Sequence, residues 1–162
     1  MTEPRQKRGK SVQEVGTPPA FIAAIEQRWG KITLDLAASD KVHVCDSYFT
    51  SKIDGLKQDW GIPNGLLFCN PPFGKIGPWV EKAAATTSKG FLRPTILVLV
   101  PAAIETRWFR RYVYNVANVH ILNPRLTFVG HKYNFPKGLI LCEYPGSVVG
   151  EVMDYWNWQE PW

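Results

Sequence analysis

The chain has 162 residues, 45% of them hydrophobic and 20% charged, with a formal net charge of +5. That balance suits one ordinary globular domain, excludes a wholly disordered chain or a collagen-like repeat, and needs no staples, because a chain this long buries roughly 70% of its unfolded surface. Its longest apolar stretch, Ile96–Val100 continued by Pro101–Ile104, is too short to span a bilayer.

Residues 1–15 are polar and lack periodicity, which predicts a mobile basic arm; its start, MTEPRQKRGK, has no apolar run behind it, so no secretory signal is expected. Thr17-Pro18-Pro19 predicts a helix start, with Thr17 as N-cap. Phe21, Ile22, Ile25 and Trp29 follow at helical spacing, and Gly30 is the stop. Lys31–Leu36 alternates as a strand, with Ile32, Leu34 and Leu36 on one face and Asp35 at its carboxyl end. Ser51-Lys52-Ile53-Asp54 resembles a capping box before a short turn ending near Trp60.

Leu66-Leu67-Phe68-Cys69 reads as a strand buried on both faces, ended by Asn70-Pro71-Pro72-Phe73-Gly74. Helices are expected over residues 76–89 and 104–114, with an apolar strand at Thr95–Val100 between them. Val116–Leu122, Leu126–Val129 and Leu139–Glu143 are further strand candidates, and residues 147–162 are a Trp-rich, acidic tail with no assigned structure. The alternation predicts an α/β fold: a compact Rossmann-like sheet over residues 16–146, mostly parallel, with antiparallel strands at the C-terminal end.

Charge is unevenly distributed. Arg107, Arg110, Arg111, Arg125, Lys132 and Lys137 face only Glu105 across residues 104–137, whereas residues 138–162 carry Glu143, Glu151, Asp154 and Glu160 with no Lys or Arg. A basic second half is what a polyanion would recruit, although a solvated basic surface would read the same way. Cys45, Cys69 and Cys142 are widely spaced, with no CxxC and no zinc-like Cys/His cluster. Free thiols in a reducing cytoplasm are therefore expected, without a metal or a membrane.

The chemistry is concentrated in Asn70-Pro71-Pro72-Phe73. An adjacent proline pair is a roughly 1-in-400 event at average composition, and the flanking Asn and aromatic make chance rarer still. A strand-ending turn explains Asn and one proline but not the rest. In open α/β sheets ligands sit beyond the carboxyl ends of the strands. There Asn70 offers a side-chain carbonyl and Pro71 a backbone carbonyl held extended by Pro72. Two rigid acceptors can take both hydrogens of an exocyclic amino group, localising its lone pair for attack on a sulfonium methyl, and Phe73 can stack on the ring.

The segment resembles the signature Asn/Asp/Ser-Pro-Pro-aromatic of amino-group methyltransferases that use S-adenosylmethionine. Within that group the chain is similar to the small phage-type DNA N6-adenine methyltransferases, the phage Dam family. The likeness runs over roughly residues 15–142, through Thr17-Pro18, Leu34-Asp35-Leu36-Ala37-Ala38, Tyr48-Phe49-Thr50, Asp54-Gly55-Leu56, Asp59-Trp60, Trp79-Val80-Glu81-Lys82-Ala83, Val100-Pro101-Ala102, Trp108-Phe109 and Arg125-Leu126-Thr127-Phe128. It implies that Asn70, Pro71, Pro72 and Phe73 hold a flipped adenine at its N6. It implies that Thr17, Pro18, Asp35, Ala37, Asp54, Asp59 and Trp60 contact S-adenosylmethionine, with Asp54 and Asp59 not individually assigned to ribose or adenine. The chain departs from the wider methyltransferase pattern after Asp35, where Leu36-Ala37-Ala38-Ser39 replaces a Gly-x-Gly turn.

A DNA partner then gives the six basic residues of the second half phosphate contacts, and the loops after residue 100 the reading of a short or relaxed target. Three alternatives stay open: amino-group methylation of RNA, methylation of a protein glutamine, or a non-catalytic DNA-binding protein that keeps the fold. His43, His120 and His131 have no partner at ligand spacing and read as structural or surface residues.

Overall fold

The computed structural model describes residues 16–88, 92–146 and 152–161. In chain order it builds α1 (Pro19–Trp29), β1 (Leu34–Ala38), β2 (Tyr48–Thr50), a 3-10 turn (Gly55–Lys57), β3 (Leu66–Cys69), α2 (Gly77–Thr87), β4 (Thr95–Pro101), α3 (Arg107–Tyr112), β5 (Asn118–Asn123), β6 (Leu139–Tyr144) and β7 (Met153–Asn157). The predicted basic arm, residues 1–15, lies outside the described residues.

The strands form one seven-stranded sheet in the order β2-β1-β3-β4-β6-β5-β7. All antiparallel pairings involve β6, which sits between β4 and β5; the remaining strands run in one direction. The α/β sheet is thus mostly parallel, with its reversal toward the C-terminal end. Period-two alternation sends the apolar side chains of β4 both ways. Ile96, Val98 and Val100 join Trp79, Val80 and Ala83 of α2 and Phe109 of α3 on one face. Leu97 and Leu99 join Phe21 and Ile25 of α1 on the other. The result is a three-layer α/β/α core.

Several local expectations shift. Thr17 does not cap α1; the N-cap is Pro18 and no side chain caps the helix. Gly30 ends it as expected, at φ 98°, with its N–H on the Glu26 carbonyl at 2.9 Å. β1 starts only at Leu34, so Asp35 is its second residue rather than its carboxyl end. Ile32 precedes the strand and packs on the α1 side, while Leu34 and Leu36 pack on the α2 side. Leu126–Val129 contributes a single bridge, Gly16 with Val129, instead of a ladder strand.

Residues 153–157 lie in the predicted tail, yet they form β7, which pairs in parallel with β5 from Val119–Met153 to Asn123–Asn157. Trp156 is 3% exposed and packs 5.7 Å from the Phe21 ring and 5.1 Å from the Trp29 ring. A buried polar network joins the same elements. His120 Nδ1 lies 2.6 Å from Asp154 and Nε2 lies 2.8 Å from Glu143. Arg28 donates to Asp154 at 3.3 Å. Burial pushes the Glu143 carboxyl up, but hydrogen bonds from His120 and Asn118 outweigh it and leave it below the ordinary range.

If the last strand belongs to the cooperative core, Trp156→Ala costs about 3–5 kcal/mol. Urea unfolding checks this, and a loss under about 1 kcal/mol would mean that β7 contributes little to the folded unit.

Candidate active site

The chain fills β1, steps outward to β2, then returns to place β3 on the opposite side of β1. This reversal between β1 and β3 is a topological switch point, where open sheets leave a crevice. Register deepens it. Asp35 lies level with Phe68, and Cys69 lies level with Val98. β3 ends at Cys69, whereas β1 continues through Ala37 and Ala38, and β4 through Leu99, Val100 and Pro101. The β3 ladder thus stops two to three residues, about 7–10 Å of strand length, short of its neighbours, and this step in the ladder is the notch at the centre of the sheet.

Asn70-Pro71-Pro72-Phe73 forms the lip of this notch. Pro71 is buried; Asn70, Pro72 and Phe73 are half-buried. The Pro72 carbonyl accepts from the Lys75 N–H at 2.9 Å, turning the chain toward α2. Asn70 Nδ2 donates to the buried Thr17 hydroxyl at 3.2 Å. The Thr17 neighbour Gly16 accepts from the Val129 N–H at 2.9 Å. Phe73 meets Phe135 and Phe128 edge-on at 5.4 and 6.2 Å. Three segments remote in sequence therefore converge: residues 16–17, 70–73 and 126–135.

Asp35 projects to the α1 side of β1, the side on which Phe68 packs and on which Asn70 follows at strand spacing. It is 4% exposed and accepts from the N–H groups of Ala37 at 3.2 Å and Val44 at 3.1 Å. Burial pushes its carboxyl up to about 6, against those two donors and nearby His43.

Asp54 and Asp59 belong to the turn region that abuts β1. A Cβ on Gly55 would stand 2.3 Å from the Leu36 carbonyl oxygen, so only glycine lets the turn approach this closely. Asp54 is its N-cap, accepting from Leu56 N–H at 3.2 Å and pairing with Lys57 at 3.6 Å. Asp59 is exposed and accepts from Gly61 N–H at 2.8 Å. Trp60 is core: its ring is 1% exposed, stacks 6.0 Å from Trp79 and donates its indole N–H to Gly55 at 2.8 Å. It shapes the turn from behind.

Lys82, to which the sequence assigns no role, ties this turn to α2 by donating to the Leu56 and Gln58 carbonyls. Burial lowers its ammonium below the usual lysine range, against the charges of Asp59 and Asp54. The helical spacing of Trp79 and Lys82 hints at this shared face. Phe128 and Phe135 carry no such signal, because their link to Phe73 is entirely tertiary.

The basic residues lie beyond the same edge. Arg107, Arg110 and Arg111 are exposed on α3, which follows β4. Arg125, Lys132 and Lys137 are exposed on the excursion between β5 and β6. Arg125 closes that excursion by donating to the Pro136 carbonyl at 3.1 Å, and Ala102 N–H joins its end to β4 through Gly138 at 2.9 Å. No helix among the described residues is long and apolar enough to cross a membrane.

Comparison with known proteins identifies the family. Residues 7–137 match the family model described as DNA N-6-adenine-methyltransferase (Dam). A relative named DNA N-6-adenine-methyltransferase, from Escherichia phage T1, is 33% identical over 111 residues, which is 68% of this chain and 45% of the relative. The chain thus spans about half the length of that relative. No solved structure matches. The family match covers most of the chain, including the Asn-Pro-Pro-Phe lip and both strands of the switch point, and the chain belongs to the DNA N-6-adenine-methyltransferase (Dam) family.

Proposed function

We propose that this chain transfers a methyl group from S-adenosylmethionine to the exocyclic N6 of adenine in DNA, with the target base turned out of the helix. The observation that carries the reading is the short β3 at the switch point, flanked by Asp35 and Asn70 on one side of the sheet. A base inside a duplex cannot enter such a notch, and extrusion costs a few kcal/mol.

In this reading Asn70 Oδ1 and the Pro71 carbonyl accept the two N6 hydrogens, and Phe73 lies against the base. The acceptors favour a pyramidal nitrogen over the flat, conjugated ground state, so they bind the transition state better than the substrate. Both are neutral, so the spare proton of the methylated nitrogen passes to water.

The donor set fits S-adenosylmethionine, a cation. A buried carboxylate whose pKa burial has raised gains from a positive partner, and Asp35 is such a group. Asp35 and Ala37 would hold the methionine part, Pro18 would border it, and Asp54 and Asp59 offer carboxylates for ribose hydroxyls and the cofactor's adenine. When bound, the cofactor supplies an electrophilic methyl on a sulfonium. Arg107, Arg110, Arg111, Arg125, Lys132 and Lys137 would hold phosphates while the base is out.

Incubation with tritiated S-adenosylmethionine and adenine-containing DNA should yield labelled N6-methyladenine on nucleoside analysis. Label in RNA or peptide glutamine alone, or no transfer at all, overturns the reading. Asn70→Ala should lower kcat at least about 100-fold, the scale set by removing one electrostatic stabiliser, with cofactor affinity retained.

Replacing Arg110 and Arg111 together by Gln should weaken DNA binding across sequences. The slope of log K against log salt should fall by about 0.9 for each phosphate that is no longer neutralised. An unchanged slope removes α3 from the interface.

Asp35 makes a pH prediction with a definite sign. Its folded pKa of about 6 exceeds the ordinary value of 3.8, so the native state binds the extra proton between these limits. Native stability from this group is full below about pH 4 and lost as pH rises through 6, a change of about 3 kcal/mol. The stability of Asp35→Asn relative to wild type should therefore rise by that amount over this window in cofactor-free melts. A flat difference would mean that burial does not raise this carboxyl.

A further inference from the structure

We infer that Thr17 is a positioning residue for Asn70: its hydroxyl pins the Asn70 amide so that Nδ2 is held away from the substrate and Oδ1 is presented to it. The inference rests on the methyl-transfer reading above and reassigns Thr17 from the cofactor to the catalytic amide. A threonine beside a helix start ordinarily caps the first turn. Here Pro18 is the N-cap, no side chain caps α1, and the Thr17 hydroxyl lies 3.2 Å from Asn70 Nδ2.

The hydroxyl is also held in place from both sides. Gly16 is bridged to Val129 through an N–H···O bond of 2.9 Å, and Pro18-Pro19 follows with φ of Pro18 at −59°. A bridge on one side and two prolines on the other leave Thr17 little backbone freedom. The bond is part-buried, with its Thr17 end shielded from solvent, so water replaces it only in part. The side-chain amide of a half-buried asparagine turns about a broad, roughly two-fold torsion. The wrong orientation would point N–H groups at an amine whose own hydrogens need acceptors. Anchoring Nδ2 at a fixed oxygen favours the productive orientation before the base arrives, which is preorganisation of the kind that raises kcat without tightening ground-state binding.

Thr17→Val keeps the shape and removes the acceptor; Thr17→Ser keeps the acceptor. With saturating cofactor and DNA, kcat of Thr17→Val should fall about tenfold, the worth of one hydrogen bond in the transition state, and Thr17→Ser should restore most of it. The Kd for S-adenosylhomocysteine, by calorimetry, should change less than twofold in both. Independently of turnover, the Asn70 side-chain N–H₂ signals in a ¹⁵N spectrum, assigned by their loss in Asn70→Ala, should move in Thr17→Val and much less in Thr17→Ser. Unchanged melting temperatures would separate the effect from unfolding.

A weakened Kd with normal kcat at saturation overturns the proposal and returns Thr17 to the cofactor. Equal losses in both variants, or immobile Asn70 signals, overturn it as well. Wild-type protein that transfers no label to DNA is a different failure: it removes the function reading, and the positioning role with it, before any variant is compared.

Discussion

A proline has no N–H to give to a ladder. β3 runs from Leu66 to Cys69 at the centre of the sheet, buried on every residue, and must stop where Pro71 and Pro72 begin. Its neighbours are not so limited, and β1 and β4 continue past it. The crevice and the half-burial of Asn70, Pro72 and Phe73 at its lip follow from that one termination, and residues 16–17 and 126–135 arrive beside it. Chemistry at this edge is supported by packing below it. Phe68, Leu97 and Leu99 lie on the α1 side, while Leu67, Ile96 and Val98 lie on the α2 side. A rigid floor of this kind is what acceptors need if they are to favour one nitrogen geometry over another.

The parts of this design visible in the chain are those with a local cause. Apolar runs bounded by Pro and Gly mark β3 and β4, helical spacing marks α1 and α2, and the motif at residues 70–73 marks the lip. Asp35 is identifiable as a polar interruption in an apolar segment, though the strand around it is displaced because Ile32 bonds through its N–H to Glu26 at 3.1 Å before the ladder starts. Trp60 shows where local reasoning gives out. Its place beside Asp59 suggests a ligand contact, but burial against Trp79 and the hydrogen bond to Gly55 give it a structural task. β7 is hidden in the sequence for a related reason. Only Trp156 of its five residues is fully buried, so its sequence carries little periodicity, and its pairing with β5 depends on a partner some 34 residues earlier.

The aromatic cluster of Phe73, Phe128 and Phe135 connects the lip to the excursion carrying Arg125, Lys132 and Lys137. The Gly16–Val129 bridge connects that excursion to Thr17, and Thr17 touches Asn70. The basic surface and the Asn70 amide thus share a short path of packed rings, one backbone bridge and one side-chain hydrogen bond. Each link is a discrete interaction, so the basic excursion and residue 70 are mechanically adjacent.

The packing of α1 against the final strand bears on how the protein is made. Phe21 packs against Trp156 and Trp158, at 5.7 and 5.4 Å. These partners emerge from the ribosome at opposite ends of the described chain. At about 5–20 residues per second, the helix waits roughly seven to twenty-seven seconds for the rings that cover it. During synthesis its apolar stripe therefore has to be tolerated by the nascent polypeptide or shielded by a chaperone, and the α1 side of the molecule is where premature association would begin.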